Sequence, residues 1–149
     1  MCDSSVLRIL DANFNRAREA LRVMEEYARF VVDDAGLTAA IKETRHAVTN
    51  EVESMSARAK ARCSAIVYRD IVGDVGREIS AESEYQRADA AQVAVAAGKR
   101  LSEALRAIEE YGKIIDSAFA ATIETIRYRG YELERRLALT TQARQRFGY

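Results

Sequence analysis

The chain has 149 residues, of which 48% are apolar and 31% are charged, and its 23 basic side chains equal its 23 acidic ones. This composition is typical of a folded soluble protein and excludes an intrinsically disordered chain. The net charge of zero argues against a nucleic-acid binder, which needs an excess of lysine and arginine on one face. We therefore expect a single domain over residues 1–149 that binds no nucleic acid.

Proline is absent and glycine occurs only seven times, so the chain lacks most of the residues that mark turns in strand-rich folds. This favours an all-α fold. The uncharged stretch Ala90–Gly98 is too short to cross a bilayer, and the first residues lack the basic region and apolar run of a secretory signal. Cys2 and Cys63 are too far apart in sequence to suggest a disulfide framework. We expect reduced thiols, no membrane association and a cytoplasmic location.

The first half of the chain predicts two helices. Asp33, Asp34 and Gly36 interrupt the first apolar stripe, and Thr38 is a candidate cap for the second helix. Both stripes have the three- and four-residue spacing of a helix that is packed along one side. The stripe of the first helix is Leu7, Leu10, Phe14, Ala17, Leu21, Met24, Ala28 and Val31, and that of the second is Ile41, Val48, Val52, Met55 and Ala59.

A connecting segment from about residue 63 to residue 82 precedes the second half. Ser83 and Gln86 have the spacing of a capping box and predict the start of a third helix that runs to about Ile115. A fourth helix starts at Asp116 or Ser117, and we expect the tail from residue 140 to 149 to fray. The predicted stripes are Ala94, Leu101, Leu105, Ile108 and Ile115 in the third helix, and Phe119, Ile123, Ile126, Gly130, Leu133 and Leu137 in the fourth.

The two halves are related to each other. Arg16–Arg29 and Arg100–Lys113 share eight of fourteen residues at an offset of 84, and Ile41-x-x-x-Arg45 matches Ile123-x-x-x-Arg127 at an offset of 82. The sequence therefore predicts a duplicated helical hairpin with pseudo-twofold symmetry, with repeats at about 6–62 and 87–143 joined by a loop that contains glycine and aspartate.

Four arginines in two repeat-related pairs are predicted to point toward the bundle interior: Arg16, Arg45, Arg100 and Arg127. Asn13 projects into the same apolar arc. Because a buried guanidinium needs a partner, either Glu19, Glu103 and Glu134 form internal salt bridges with them, or the arginines line a cleft for an anionic ligand. Helical projection alone leaves both interpretations open.

The connecting segment contains Arg69-Asp70-x-x-Gly73-Asp74-x-Gly76. Two carboxylates and an arginine on a glycine-containing loop are typical of elements that hold Mg²⁺ and approach phosphate. The alternative is a polar turn stabilised by its aspartates. His46, the single histidine, projects away from the stripe of its helix and is predicted to lie on the surface.

Three ordered motifs resemble a known family: residues 11–22 (DANFNRAREALR), residues 69–76 (RDIVGDVG) and residues 103–113 (EALRAIEEYGK). They are similar to the small helical domain that occurs alone, or fused ahead of the thiamine-phosphate synthase barrel, in several bacterial groups. The resemblance covers nearly the whole chain. It implies a hydroxymethylpyrimidine phosphate kinase, which uses ATP and Mg²⁺ to make the pyrophosphate that thiamine-phosphate synthase consumes. Ala97 departs from the family pattern, which usually has an asparagine there.

With that resemblance, we expect the four arginines to bind phosphate oxygens, together with Glu19 and Glu103 in the substrate and ATP site. Asn13 would contact the pyrimidine or a phosphate, Arg69 the transferred group, and Asp70 and Asp74 would hold Mg²⁺ or take the proton. The expected partners are the phosphorylated pyrimidine, ATP, thiamine-phosphate synthase and a second copy in a homodimer. The alternative is a non-catalytic dimerisation or regulatory domain associated with that synthase.

Overall fold

The computed structural model describes residues 4–58, 72–74 and 86–147, and it consists of four long helices with no strand in those ranges. They are α1 (Ser4–Glu26), which continues into a π-helical turn (Tyr27–Val32), α2 (Ala35–Arg58), α3 (Ala90–Ile115) and α4 (Ser117–Phe147). The predicted all-α fold is confirmed. None of these helices is long and apolar enough to span a bilayer.

The four helices form a closed ring in which α1 packs on α2 and α3, and α4 packs on the same two neighbours. Glu19 of α1 reaches Arg100 of α3, whereas Met24, further along α1, lines a cavity with Val95, which comes earlier in α3. Helices α1 and α3 are therefore antiparallel, as a twofold relation between the repeats requires. The repeat boundaries themselves extend beyond the described residues and stay a prediction.

The predicted stripes supply the core, with the exceptions of Val31, which is exposed, and Ala59, which lies outside the described residues. Across the ring, the edge of one ring of the Phe14–Phe119 pair meets the face of the other, with centroids 6.1 Å apart. Ile115 and Val52 are only partly buried against the core. The large side chains that are fully buried are Leu10, Leu21, Met24, Leu37, Ile41, Val48, Leu101, Leu105, Ile108, Phe119 and Ile123.

The turn of the first hairpin differs from the prediction. Asp33 adopts the left-handed conformation, with φ of 59°, and Asp34 caps α2 by accepting a hydrogen bond from the backbone N–H of Leu37 at 2.9 Å. The predicted cap, Thr38, instead lies inside the first turn, where its hydroxyl donates to the carbonyl oxygen of Asp34. The prediction of Thr38 was wrong because an aspartate four residues earlier satisfies the free N–H groups of the helix start.

Two further helix ends were mispredicted. Helix α3 begins at Ala90, and its cap is Asp89, which accepts from the N–H of Gln92, while the side chain of Gln92 accepts from the N–H of Ala88. A reciprocal cap is therefore present at Asp89 and Gln92, whereas the predicted cap residue Ser83 lies outside the described residues. The predicted start of α4 is confirmed, with Asp116 as its cap, but the helix continues to Phe147 instead of fraying from residue 140.

Candidate functional site

Each hairpin is closed by an arginine–glutamate pair at equivalent positions of the two repeats. In the first hairpin, Nε of Arg45 donates to Glu25 at 3.2 Å, and in the second, Nε of Arg127 donates to Glu109 at 2.7 Å. Glu25 and Glu109 are related by the offset of 84, and Arg45 and Arg127 by the offset of 82. The pairs therefore join the first helix of each hairpin to the second.

The pair in the second hairpin is the more buried of the two. The side chains of Arg127 and Glu109 are 11% and 4% exposed, and Nη1 of Arg127 also donates to the hydroxyl of Tyr131 at 3.1 Å. The guanidinium lies 5.0 Å from the ring centre of Tyr128 and 5.7 Å from that of Tyr131, within range of cation–π attraction. The hydrogen bond to Glu109 is the main reason why the pKa of Arg127 is raised above its usual value, so this side chain is always charged.

Arg100 and Arg16 lie where α1 and α3 pack together, with their side chains on the outer side. Arg100 forms an ion pair with Glu19 at 3.4 Å, and both side chains are substantially exposed. The equivalent residues of the other repeat are Arg16 and Glu103, both exposed. The prediction that Arg16 and Arg100 point into the interior was wrong, because both lie on the outer side of their helices, where a charged side chain stays hydrated.

Asn13 is buried, as predicted. Its amide group donates to the carbonyl oxygen of Ile9 at 2.9 Å, and its side-chain oxygen lies 3.5 Å from Nη1 of Arg16. The position is occupied by the fully buried Ala97 in the second repeat, so Arg100 has no such neighbour and turns to Glu19. Because Ala97 replaces an asparagine, Arg16 has the side chain of Asn13 as its neighbour, whereas Arg100 pairs with Glu19.

Two connected cavities lie at the other side of α3. The smaller one, about 150 Å³, is lined by Met24, Ala94, Val95, Gly98, Lys99, Glu134, Leu137 and Ala138. It shares Val95 and Lys99 with an open groove of about 600 Å³ that runs along the start of α3 and the end of α4. Burial raises the pKa of Glu134, against the opposing effects of a hydrogen bond from Ser102 and the charge of Lys99. A small apolar space with one carboxyl group thus opens beside a lysine.

Only part of the predicted magnesium loop can be placed. Asp74 is exposed, at the end of a short turn, whereas Arg69 and Asp70 lie outside the described residues. Within 4–58, 72–74 and 86–147, no group of three or more histidine, cysteine, aspartate or glutamate side chains could hold a metal ion. The predicted metal site at Asp70 and Asp74 stays a prediction.

Comparison with known proteins gives the family. The sequence profile described as the ThiD2 family matches residues 8–136, which is most of the chain. The chain belongs to the ThiD2 family. This ThiD2 domain has no match among solved structures.

Relatives of the ThiD2 domain are considerably longer proteins. A thiamine-phosphate synthase of Rhodopirellula baltica is 48% identical over 135 residues, covering 91% of this chain and 35% of the relative. Those of Thermosynechococcus vestitus and Synechocystis are 41% and 38% identical, over 93% and 88% of this chain and 37% and 36% of the relatives. The chain spans about a third of the length of the curated relatives it matches.

The ThiD2 domain brings together some predicted residues but not all of them. Arg16, Glu19, Arg100 and Glu103 share one surface, whereas Arg45 and Arg127 lie in separate hairpins, each next to its own glutamate. None of the described residues that were predicted for the substrate, ATP or metal site lines either of the two cavities. Sequence reasoning missed Lys99 and Gly98 as cavity residues. The signal was available, since Gly98 and Glu134 replace Phe14 and Val52 of the first repeat.

Proposed function

We propose that this domain acts in thiamine biosynthesis as a kinase, transferring the γ-phosphate of ATP to 4-amino-5-hydroxymethyl-2-methylpyrimidine phosphate. The observation that carries the proposal is the ThiD2 family match over residues 8–136, together with relatives named thiamine-phosphate synthase. A synthase that consumes the pyrimidine pyrophosphate needs a supply of it, and a kinase domain within the same polypeptide would provide one.

The chemistry suits a site that lacks a strong base. The attacking group is a phosphate oxygen, which is already deprotonated near pH 7, so catalysis needs positioning and neutralisation of charge rather than proton removal. Mg²⁺, if held by Asp70 and Asp74, would neutralise charge on the phosphates. Asp74 is exposed, so its carboxylate is accessible to a hydrated ion, which binds through one or two carboxylates. Asp70 and Arg69, which lie outside the described residues, keep their proposed roles.

Within the proposed site, Arg16 and Arg100 are the arginines best placed to bind phosphate. Arg16 is exposed, and the partner of Arg100, Glu19, is itself 58% exposed, so exchanging that carboxylate for a phosphate requires little desolvation. Arg127 would have to leave a buried glutamate to do the same. Its assignment to phosphate, like that of Arg45, is therefore the weaker part of the proposal.

A second candidate, the non-catalytic dimerisation or regulatory domain, is favoured by a specific observation. Arg45, Arg100 and Arg127 each have a carboxylate partner in the same molecule. If these pairs serve only to hold helices together, the domain needs no anionic ligand. Its function would then be to associate with the synthase or with a second copy.

One assay separates the two candidates. The purified chain is mixed with ATP, Mg²⁺ and the pyrimidine monophosphate, and ADP and the pyrimidine pyrophosphate are quantified together. We expect equal amounts of both products and loss of turnover when EDTA removes Mg²⁺. No turnover by a folded chain would support the non-catalytic candidate, and ATP consumption without the pyrophosphate would contradict the proposed substrate.

Arginine variants test the site within the same assay. Arg16→Ala and Arg100→Ala should each lower kcat/KM by about 10- to 100-fold, the loss expected for a charge-assisted hydrogen bond. The matched control is Arg135→Ala, because Arg135 is an exposed arginine of α4 that pairs only locally with Glu132 in the described structure. Unchanged melting temperatures with unchanged turnover in the first two variants would remove them from the site and leave the kinase proposal standing.

A further inference from the structure

The repeat symmetry fails at one cluster in the interior. Gly98, Ser102 and Glu134 occupy the positions that Phe14, Arg18 and Val52 have in the first repeat. A large aromatic ring and an aliphatic side chain are thus replaced by a glycine and a carboxyl group. At this place, where the first hairpin has Phe14 in the core, the second has a mostly apolar cavity with one carboxyl group.

Gly98 makes room for Glu134 in its observed position. A Cβ atom at residue 98 would lie 2.9 Å from Cγ of Glu134 and 3.0 Å from its Oε1, so the glutamate side chain would have to shift. The absence of a side chain lets Glu134 of α4 lie directly against α3. The cavity of about 150 Å³ that it lines is otherwise mostly apolar, with Met24, Leu137 and three alanine or valine side chains as its walls.

The carboxyl group of Glu134 has capacity for a further partner. Its Oε2 accepts a hydrogen bond from Ser102 at 3.2 Å, whereas Oε1 receives none from any described residue. The Ser102 hydroxyl also lies 3.3 Å from the carbonyl oxygen of Gly98, so it has an acceptor of its own when Glu134 is engaged elsewhere. Burial raises the pKa of Glu134, so the carboxyl group keeps its proton, and can donate it in a hydrogen bond, to a higher pH than an exposed glutamate.

We propose that this cavity binds the aminopyrimidine ring of the substrate, with Glu134 hydrogen-bonded to the amino group and the adjacent ring nitrogen. The identity of the ring rests on the proposed function. A cavity of about 150 Å³ is large enough for one six-membered aromatic ring, and its apolar walls can pack against the two faces of that ring. On one edge of an aminopyrimidine, the amino group is a hydrogen-bond donor and the adjacent ring nitrogen is an acceptor. A protonated carboxyl group complements this edge, because its C=O accepts and its O–H donates.

Lys99 fixes the direction of the bound molecule. It lines both the small cavity and the groove of about 600 Å³, and its side chain is exposed. With the ring in the cavity, the phosphorylated substituent extends past Lys99 into the groove, where the ammonium group can pair with it. The ring and the phosphate are thus bound by different residues, so they can be tested separately.

The pairing requires one proton between Glu134 and the ring nitrogen. At high pH both groups are deprotonated, and the two lone pairs repel each other. Among the described residues, Lys99 of α3 is the charged side chain that acts on Glu134, while the facing residue of α1 is the uncharged Met24. Glu134→Gln supplies the donor and the acceptor permanently, whereas Glu134→Met supplies neither.

The experiment uses the unphosphorylated aminopyrimidine, 4-amino-5-hydroxymethyl-2-methylpyrimidine, as the probe and the complete chain, by titration calorimetry from pH 5.5 to 9. We expect the Kd of the wild type to rise at least tenfold across this range. For Glu134→Gln it should change less than threefold, and for Glu134→Met it should be at least tenfold weaker than wild type at pH 6. Glu132→Gln, which removes an exposed carboxylate of the same helix, should behave as wild type. Melting temperatures establish that each variant is folded.

The outcomes separate this inference from the kinase proposal. Equal binding by wild type and folded Glu134→Met, or no binding of the pyrimidine by wild type at millimolar concentration, overturns the inference even if the kinase assay is positive. Binding that depends on Glu134 in a chain without turnover supports the inference and counts against the kinase. With an active chain, a raised KM for the pyrimidine phosphate in Glu134→Met and an unchanged KM for ATP supports both.

Discussion

The buried carboxylate of Glu109, in the second hairpin, is stabilised mainly by one arginine, Arg127. Glu109 is 3% exposed, and its two carboxylate oxygens accept from Nε of Arg127 and from Nη1 of Arg106. Arg106 is half exposed and contributes little, because water screens its charge. Arg127 is therefore the main group that compensates for the desolvation of Glu109.

Arg127→Met should lower the free energy of unfolding by about 3–5 kcal/mol, because it leaves a buried carboxylate without its main partner. Adding Glu109→Leu should recover most of that loss, since an apolar pair can replace a buried ion pair at little cost. Urea denaturation of both variants measures the difference. A double variant that is no more stable than Arg127→Met would contradict this explanation.

Tyr27 and Tyr111 occupy equivalent positions of the repeats but have different surroundings. The hydroxyl of Thr141 donates to the carbonyl oxygen of Leu137 at 2.8 Å, so the buried Tyr27 hydroxyl, 2.9 Å away, is the donor to Thr141. Tyr27→Phe should therefore cost about 1 kcal/mol in thermal or urea unfolding. Tyr111 is 40% exposed, and Tyr111→Phe is the matched control, with an expected change near zero. Equal effects at the two positions would show that the hydrogen bond contributes nothing.

The turn of the first hairpin is two residues longer than that of the second, since the offset between the repeats falls from 84 to 82. The π-helical turn Tyr27–Val32 and the left-handed Asp33 take up the extra length. The N–H groups of Asp33 and Asp34 both donate to the carbonyl oxygen of Ala28, which ends the first helix. The two adjacent aspartates therefore have different functions, one ending α1 and the other starting α2.

Substitution of these neighbours should have opposite effects on stability. Asp33→Gly should raise the free energy of unfolding by about 0.5–1 kcal/mol, because glycine adopts the left-handed conformation without the Cβ clash. Asp34→Ala should lower it by about 1 kcal/mol, because the N–H of Leu37 loses its cap. Urea denaturation at pH 7 measures both changes in the free energy of unfolding. A loss of stability in Asp33→Gly would mean that its exposed side chain has a partner that matters more than its backbone.

The helices could be predicted from the sequence, but their ends could not. Periodic apolar residues such as Ile41 and Leu101 must be buried wherever the helix begins, so the stripe identifies the element. A helix end is decided by competition between neighbouring polar residues. Here Asp34 serves as the cap of α2 in place of Thr38, and Asp89 caps α3. The buried hydrogen bond of Thr141 continues α4 past the predicted fraying point, and only the tertiary structure shows this bond.

The internal repeat predicts the four-helix architecture of the molecule better than it predicts the position of the cavity. Residues shared by both halves, such as Glu25 and Glu109, hold the hairpins together, so their duplication follows from the fold. The cavity instead arises from residues that differ between the halves, namely Gly98 and Glu134. Arguing from the shared arginines therefore offered Glu19 as a partner of Arg100, but it did not name Glu25 and Glu109 and it missed the cavity.

The same asymmetry should affect how the stability of the domain depends on pH. Burial raises the pKa of Glu134 above its ordinary value of 4.5, so between 4.5 and the raised pKa the folded state binds more protons than the unfolded state. Stability therefore falls as pH rises through that window, and the full cost is present once the pH exceeds the raised pKa. Glu134→Gln is neutral at every pH, so it should be more stable than wild type at pH 7, and this gain should shrink toward zero at pH 4.

Glu132→Gln provides a control of opposite sign in the same measurement. The hydrogen bond from Arg135 lowers the pKa of Glu132, so the ionised form stabilises the fold above pH 4.5, and this contribution is lost as pH falls through the lowered pKa. Glu132 is fully exposed to solvent, so its substitution should cause only a slight loss at pH 7. Urea denaturation of wild type and both variants at pH 4, 5.5 and 7 gives the differences directly. If Glu134→Gln is more stable than wild type by the same amount at all three pH values, the burial of a charged carboxylate is not the cause of the difference.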